Sequence, residues 1–193
     1  MPKKPDALLE GRILDAAYAL WEKGGEESLT MRAVARAAKT TTPTVYQRFR
    51  DKRDLLEVMR GRALRQLVAA IEPAESAEEV CARFLEFAIA HPNSYRLLTV
   101  DWAARLSRRE HKPSFELIKS RLAVRLGGTP EEHAELAMSL GALVHGTATM
   151  LLVGGVDKQV SRDLQRICAD GCEALIEHAE NAVSRPERRR AGS

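Results

Sequence analysis

The chain has 193 residues, of which 45% are hydrophobic and 5% aromatic, enough for a core built mainly from Ala and Leu. No window sustains an alternation of apolar and polar side chains, so we expect an all-α fold. Three cysteines are an odd number and form no disulfide framework, and the polar residues 1–6 have no apolar signal segment behind them. Both features predict a protein of the reducing cytoplasm.

The net charge of +3 is distributed unevenly along the chain. Residues 1–65 carry 14 Lys/Arg against 9 Asp/Glu, residues 66–184 carry 12 against 17, and residues 185–193 carry 4 against 1. A basic head on an acidic body is expected where only the head approaches a polyanion.

Stripes of apolar side chains at helical spacing predict about nine helices, each bounded by a cap or a breaker. Gly24-Gly25 ends the first helix, and Pro43 falls in the first turn of the third, where its missing N–H costs nothing. His91-Pro92 and Gly127-Gly128 end two helices further along the chain. The expected N-caps are Ser28 or Thr30, Thr41 or Thr42, Asp51, Ser76, Asn93 or Ser94, and Thr129.

The segment Leu29–Leu56 consists of two short amphipathic helices joined by a tight turn. Its second helix presents Thr, Pro, Tyr, Gln and Arg side chains outward, while Val45 and Phe49 point inward. Such side chains hydrogen-bond phosphates and base edges, and a helix about two turns long fits the major groove of DNA.

This segment resembles the DNA-binding domain of the TetR family of regulators over roughly residues 10–60. The matching positions are Thr30, Val34, Ala35, Ala38, Thr44, Val45, Tyr46, Phe49, Lys52 and Leu55. The spacing Tyr-x-x-Phe-x-x-Lys, in register with the upstream Thr and Ala, makes the resemblance specific. The chain departs from the family at the turn, where Gly-Val-Ser is replaced by Lys39-Thr40-Thr41. Lys39 would then adopt a conformation that glycine takes freely, at a cost of about 1 kcal/mol.

The resemblance implies DNA-contacting roles for polar residues of this segment, whereas Val45 and Phe49 remain core residues. Thr30 and Tyr46 would contact phosphate, and Lys52 would pair with it. Gln47, Arg48 and Thr42 would be the residues that read the base sequence. The full expected set is Thr30, Arg32, Lys39, Thr41, Thr42, Pro43, Thr44, Tyr46, Gln47, Arg48 and Lys52. The alternative is that these polar side chains are ordinary surface residues of a helical bundle.

The predicted division is a DNA-binding head over 1–54, a sensing and dimerising body over 55–184, and a disordered basic tail over 185–193. The resemblance implies that the body forms a homodimer through its last two long helices and encloses a small-molecule cavity. Aromatic and Met side chains suit apolar ligands. The candidate ligand-binding residues are Tyr95, Trp102, Phe115, His145 and Met150, with Asp101 and Arg105 for a polar ligand. The alternative for each of them is an ordinary core residue or, for Asp101 and Arg105, a surface pair.

Two further segments of the body have two interpretations each. Residues 136–156 lack formal charge over a length that would span a membrane, yet glycines and polar side chains interrupt them. A helix with one face on the core and one on a partner chain explains them better. Cys168 and Cys172 lie one helical turn apart and suit either a redox or metal sensor or small apolar residues in a packed stripe.

The sequence contains no histidine pair at metalloprotease spacing, no phosphate-binding loop, no nucleophile elbow and no CxxC pair. We therefore expect no enzyme, no metal and no cofactor beyond a small-molecule effector. The predicted function is a ligand-responsive repressor that binds a near-palindromic double-stranded DNA operator as a dimer and releases it on binding the effector. The alternative is a helical protein-interaction module without specific DNA binding.

Overall fold

The computed structural model describes residues 7–100 and 113–190, and within those ranges every regular element is a helix. This confirms the all-α prediction. The helices, in chain order, are α1 Ala7–Ser28, α2 Met31–Ala37, α3 Thr42–Tyr46, α4 Lys52–Ile71, α5 Ala77–Ala90, α6 Pro92–Thr99, α7 Pro113–Leu126, α8 Ala134–Leu152 and α9 Lys158–Arg190. A short 3-10 helix, Pro130–His133, precedes α8.

Local side-chain chemistry sets most of the helix ends. Ala33 N donates to Thr30 Oγ1 at 3.1 Å, Asp54 N to Asp51 Oδ1 at 2.8 Å, and Glu79 N to Ser76 Oγ at 3.1 Å. These three predicted caps are confirmed. Within α1, the φ angle of 59° at Gly25 interrupts the regular helix where the sequence places a stop.

Two predicted helix starts differ from the structure. The hydroxyl of Thr129 makes no capping bond, because Glu132 N donates to Thr129 O at 3.2 Å and tightens the first turn into the 3-10 helix. Helix α6 begins at Pro92, ahead of Asn93 and Ser94, since proline suits the first turn of a helix.

The described chain divides into two compact units, and the first, or head, comprises residues 7–65 with 93–100. The head is therefore larger than the predicted 1–54. Met59 and Ala63 of α4 and Leu97 of α6 are buried in its core, together with the apolar faces of α1 to α3. Trp21 Nε1 also donates to Asn93 O at 3.0 Å.

The second unit, or body, comprises residues 66–92 and 113–190 among those described. Helix α5 packs against α7, α8 and α9, and α8 packs against α9. A Cβ atom added at Gly171 would lie 3.0 Å from Leu143 Cδ2, so the small residue permits the close approach of α8 and α9. The core is formed by the buried side chains of Val80, Phe84, Ala88, Leu122, Leu140, Val144 and Ile176.

Helix α9 continues to Arg190, through most of the segment predicted to be a disordered tail. Arg and Glu, which dominate this segment, are good helix formers. Residues 191–193 lie outside the described part of the chain.

Within the described residues, Pro130–Leu152 is long and apolar enough, by length and composition alone, to span a membrane. The same stretch contains α8, which packs on α5 and α9 through Ala137, Leu140, Val144 and Ala148. Its apolar character is therefore used, on this face, to build the core of the body.

Candidate nucleic-acid interface

Helices α2 and α3 each pack on the core of the head through an apolar face. Val34 and Val45 are fully buried, and Ala35 and Phe49 are 2% exposed. Because the inner face is fixed in this way, the opposite face of α3 must point to solvent. The exposed residues of the two helices and their connection include Arg32, Lys39, Thr41, Pro43, Tyr46 and Gln47, with Thr42, Thr44 and Arg48 half-buried.

The turn between α2 and α3 closes with a Schellman motif. Thr40 N donates to Ala35 O at 2.9 Å, and Lys39 N donates to Arg36 O at 3.2 Å. This motif requires a left-handed residue after the helix, and Lys39 has a φ angle of 53°. The prediction that Lys39 takes a conformation natural to glycine is therefore confirmed.

The start of α3 is fixed by two threonines. Thr44 N donates to Thr41 Oγ1 at 3.3 Å, and the hydroxyls of Thr41 and Thr44 lie 2.8 Å apart. Thr41, rather than Thr42, is thus the N-cap. Helix α3 has five residues, and a further bond from Phe49 N to Val45 O at 2.9 Å extends its last turn.

The basic side chains around α3 differ in their surroundings. Among the described residues, Arg32, Lys39 and Arg48 have no carboxylate within 4 Å. Arg50 is instead paired with Asp54 at 3.5 Å. Free guanidinium and ammonium groups on one face are available to phosphate without first breaking an internal ion pair.

Lys52 and Tyr46 differ in whether their polar groups already have a partner within the described part of the chain. Lys52 Nζ donates to Glu26 O at 2.7 Å and lies 3.4 Å from Glu26 Oε1, so it ties the start of α4 to the end of α1. Tyr46 is 52% exposed, and its hydroxyl has no hydrogen-bond partner among the described residues. Of the two, Tyr46 has the group that is free to contact DNA.

Comparison with known proteins shows the family to which the chain belongs. A profile of bacterial regulatory proteins of the tetR family matches residues 13–59, and a profile of the tetracyclin repressor-like C-terminal domain matches residues 77–175. The chain belongs to the TetR family. The resemblance seen in the sequence of the head is thereby confirmed and extends through the body.

A curated relative, the HTH-type transcriptional repressor KstR of Mycolicibacterium smegmatis, is 37% identical over 82 residues, which are 42% of this chain and 40% of the relative. The match thus spans about two fifths of that relative's length. A TetR-like transcriptional regulator from Rhodococcus sp. RHA1 is similar in structure, with a TM-score of 0.59, 22% identity, and coverage of 86% of this chain and 96% of the other. A TetR variant from Acinetobacter baumannii AYE in complex with minocycline has a TM-score of 0.60, 19% identity, and coverage of 90% and 97%.

The five residues predicted to line a ligand cavity belong to different parts of the chain. Tyr95 is buried in the head, whereas Phe115, His145 and Met150 belong to the body, and Trp102 lies outside the described residues, as do Asp101 and Arg105. Met150 is 56% exposed, because its position on α8 faces away from the buried Val144 and Ala148. The role of Met150 in lining a ligand cavity stays a prediction.

The two remaining candidates contact neighbours in the body. The ring of His145 meets the Phe84 ring edge-on, with centroids 4.9 Å apart and planes at 71°. Lys119 Nζ lies 5.6 Å from the centroid of Phe115. Both contacts are typical of packed side chains at the edge of a core.

The body contains a groove that the sequence did not indicate. It has a volume of about 570 Å³ and lies between α5 and α9. Its lining includes all three cysteines, together with Ser76, Glu78, Glu79, Ala82, Leu85, Glu86, Gln165, Ala169 and Glu173. The two helices are far apart in sequence, so only the fold brings these residues together.

Proposed function

We propose that this TetR-family chain is a ligand-responsive transcriptional repressor. It acts as a homodimer in the cytoplasm, binds a near-palindromic operator, and releases the DNA when a small molecule binds to the body. No catalytic step is required. One observation supports the DNA-binding part most directly: α3 rests on buried Val45 and Phe49 and exposes Tyr46 and Gln47. The nearby Arg32, Lys39 and Arg48 have no carboxylate partner within the described part of the chain.

Self-association is supported by an apolar stripe on the outer face of α8. Met138, Met150 and Val153 are 49%, 56% and 78% exposed, and the small residues Ala142 and Gly146 lie between them. On α9, Val160, Ile167 and Leu175 are 45%, 53% and 37% exposed. Apolar helix faces rarely stay in water, and a second copy supplies a matching surface. Pairing α8 and α9 with their copies also accounts for the uncharged residues 136–156 without a membrane.

The coupling between ligand and DNA is proposed to pass along α4. The first part of this helix, to Arg65, belongs to the head, and its last part, from Gln66, belongs to the body. A ligand that binds more tightly to one position of α4 shifts the population of head orientations. The minocycline complex of the A. baumannii neighbour supports a small-molecule effector.

DNA binding is tested by fluorescence anisotropy with the DNA flanking the coding sequence. We expect affinity that falls steeply with salt and drops about tenfold or more in Tyr46→Phe and Arg48→Gln, because each loses a phosphate or base contact. Arg65→Gln removes another exposed head cation, on α4, and is the matched control. Equal losses in all three variants, or no preference for that DNA over random duplex, would favour the interaction-module alternative.

The dimer is tested by sedimentation equilibrium. Ala142→Glu introduces a charge into the apolar stripe of α8 and should weaken association by about 1–3 kcal/mol. Val124→Glu is the control, because Val124 is 81% exposed and belongs to α7 rather than to the apolar faces of α8 and α9. An unchanged dimer in the Ala142→Glu variant would place the interface elsewhere.

A further inference from the structure

The three cysteines of the chain converge in the body, although one is 87 residues or more from the others in sequence. Cys81 lies on α5, and Cys168 and Cys172 lie one turn apart on α9. All three are free thiols with 3%, 3% and 1% exposure. The thiol of Cys81 hydrogen-bonds to Cys172, and Cys172 also hydrogen-bonds to Cys168. They form a thiol cluster, defined as Cys81, Cys168 and Cys172.

Helix geometry decides which of these thiols can pair. Residues four apart on an α-helix have Cβ atoms about 5–6 Å apart, whereas a disulfide needs about 3.5–4.5 Å. Cys168 and Cys172 therefore do not bridge while α9 is intact. A bond between α5 and α9 has no such restriction, because Cys81 and Cys172 already touch.

The cluster borders a groove, and the pKa values of Cys81 and Cys172 are shifted in opposite directions. All three thiols line the groove between α5 and α9. The hydrogen bonds donated by Cys81 and, less strongly, by Cys168 hold the pKa of Cys172 below its ordinary value, against the effect of burial. The same bond with Cys172, and then burial, raises the pKa of Cys81. The thiol of Cys172 therefore loses its proton more readily than that of Cys81, and the thiolate is the reactive form.

A resident metal is not the role that the geometry favours. Among the described residues, no group of three or more His, Cys, Asp or Glu side chains is arranged to hold a metal ion. The carboxylates of Glu78, Glu79, Glu86 and Glu173 line the same groove and favour a neutral oxidant over an anionic one.

We propose that Cys81 and Cys172 are a modification site at which a neutral hydroperoxide forms a reversible disulfide between α5 and α9. The Cys172 thiolate attacks one peroxide oxygen, the O–O bond breaks, and the sulfur is oxidised to a sulfenic acid while the second oxygen leaves as hydroxide, which takes up a proton. The Cys81 thiol then attacks that sulfur. The S–S bond forms, the S–O bond breaks, and the thiol proton leaves with the hydroxyl group as water.

The disulfide leaves the proposed dimer surface unchanged. Ile167 and Leu175 face outward on α9, whereas Cys168 and Cys172 face α5. The reaction therefore belongs within each chain and does not link two chains. This inference rests on the thiol cluster and is independent of the operator or effector.

The test is peptide mapping of the reduced full chain after treatment with hydrogen peroxide and alkylation of the remaining thiols. Trypsin places Cys81 in fragment 66–83 and both α9 cysteines in fragment 167–188, because it does not cleave the Arg185–Pro186 bond. We expect a linked pair of these fragments that dithiothreitol separates, with the residual alkylated thiol at Cys168. Cys168→Ser should keep the link, and Cys172→Ser should lose it.

The wild-type map decides the outcome even if a variant does not fold. A bridge within fragment 167–188, a linked pair whose residual thiol is Cys172, or alkylation of all three thiols after peroxide would each overturn the proposal. Conversion of Cys172 to sulfinic acid without a linked fragment would also overturn it, because Cys81 would then not act as the resolving thiol.

Discussion

Replacing Lys39 with glycine should stabilise the head, because this lysine occupies the left-handed position of the Schellman motif that ends α2. Its φ angle is 53°, its side chain is exposed, and no carboxylate lies within 4 Å among the described residues. The substitution therefore removes little besides backbone strain and one cation. The backbone hydrogen bonds of the turn, from Lys39 N and Thr40 N, are available to glycine as well.

The magnitude follows from two opposing terms. A residue with a side chain pays about 1–2 kcal/mol in the left-handed region, and glycine loses about 0.5–1 kcal/mol more backbone entropy on folding. The difference is a net gain of about 0.5–1 kcal/mol. For a chain of this size, it corresponds to a rise in Tm of about 1–4 °C.

The matched control is Lys39→Ala, which removes the same charge but keeps a Cβ atom at the strained position. Thermal unfolding followed by far-UV circular dichroism, at one protein concentration, compares the two variants with the wild type. We expect Lys39→Gly to unfold at a higher temperature and Lys39→Ala to stay close to the wild type. Equal Tm values for the two variants would show that the φ angle of Lys39 carries no cost. Operator affinity should fall equally in both, since both lose the cation.

Three further substitutions test the caps and the core. Thr41→Val should cost about 1 kcal/mol of stability and weaken operator binding, while Thr41→Ser retains both, because only the serine hydroxyl can accept the bond from Thr44 N; urea unfolding and anisotropy measure the two effects. Trp21→Phe should cost about 1–3 kcal/mol in urea unfolding, since it leaves Asn93 O without its donor; no change would mean that water replaces the indole. Asp54→Asn should make the protein lose less stability as the pH falls. The Arg50 backbone N–H, above all, lowers the pKa of Asp54. The stability that the Asp54 carboxylate contributes is therefore present above pH about 4 and is lost as the pH falls through the lowered pKa. The same loss of stability at low pH in Asp54→Asn and the wild type would contradict this role of Asp54.

The features predicted correctly from the sequence are those that a few neighbouring residues determine. Thr30, Asp51 and Ser76 cap helices through a side-chain oxygen that reaches an N–H three residues ahead. The strain at Lys39 likewise follows from one residue in one turn. The same local reasoning could not tell an α-helix from a 3-10 helix after Thr129, because the difference lies in one backbone bond.

The features that were missed depend on which face of a helix meets which neighbour. Met150 has the side chain of a ligand-lining residue, but its register on α8 turns it outward. The head extends into α4 and α6 because Met59 and Leu97 are recruited to its core, which no spacing in the sequence indicates. Cys81 has no other cysteine near it in the sequence. Only the packing of α5 on α9 brings its thiol together with those of Cys168 and Cys172.

Lys52 illustrates how a family motif can mix two kinds of position. It matches the signature as fully as Tyr46 does, yet its ammonium group is bound to Glu26 at the end of α1, whereas the Tyr46 hydroxyl is free among the described residues. A spacing such as Tyr-x-x-Phe-x-x-Lys therefore carries one exposed contact group, one core anchor and one internal brace. None of the three would read the operator sequence, because a phosphate contact by Tyr46 carries no sequence information. The brace and the anchor fix the direction in which α3 points, so their loss would weaken binding to every DNA sequence alike.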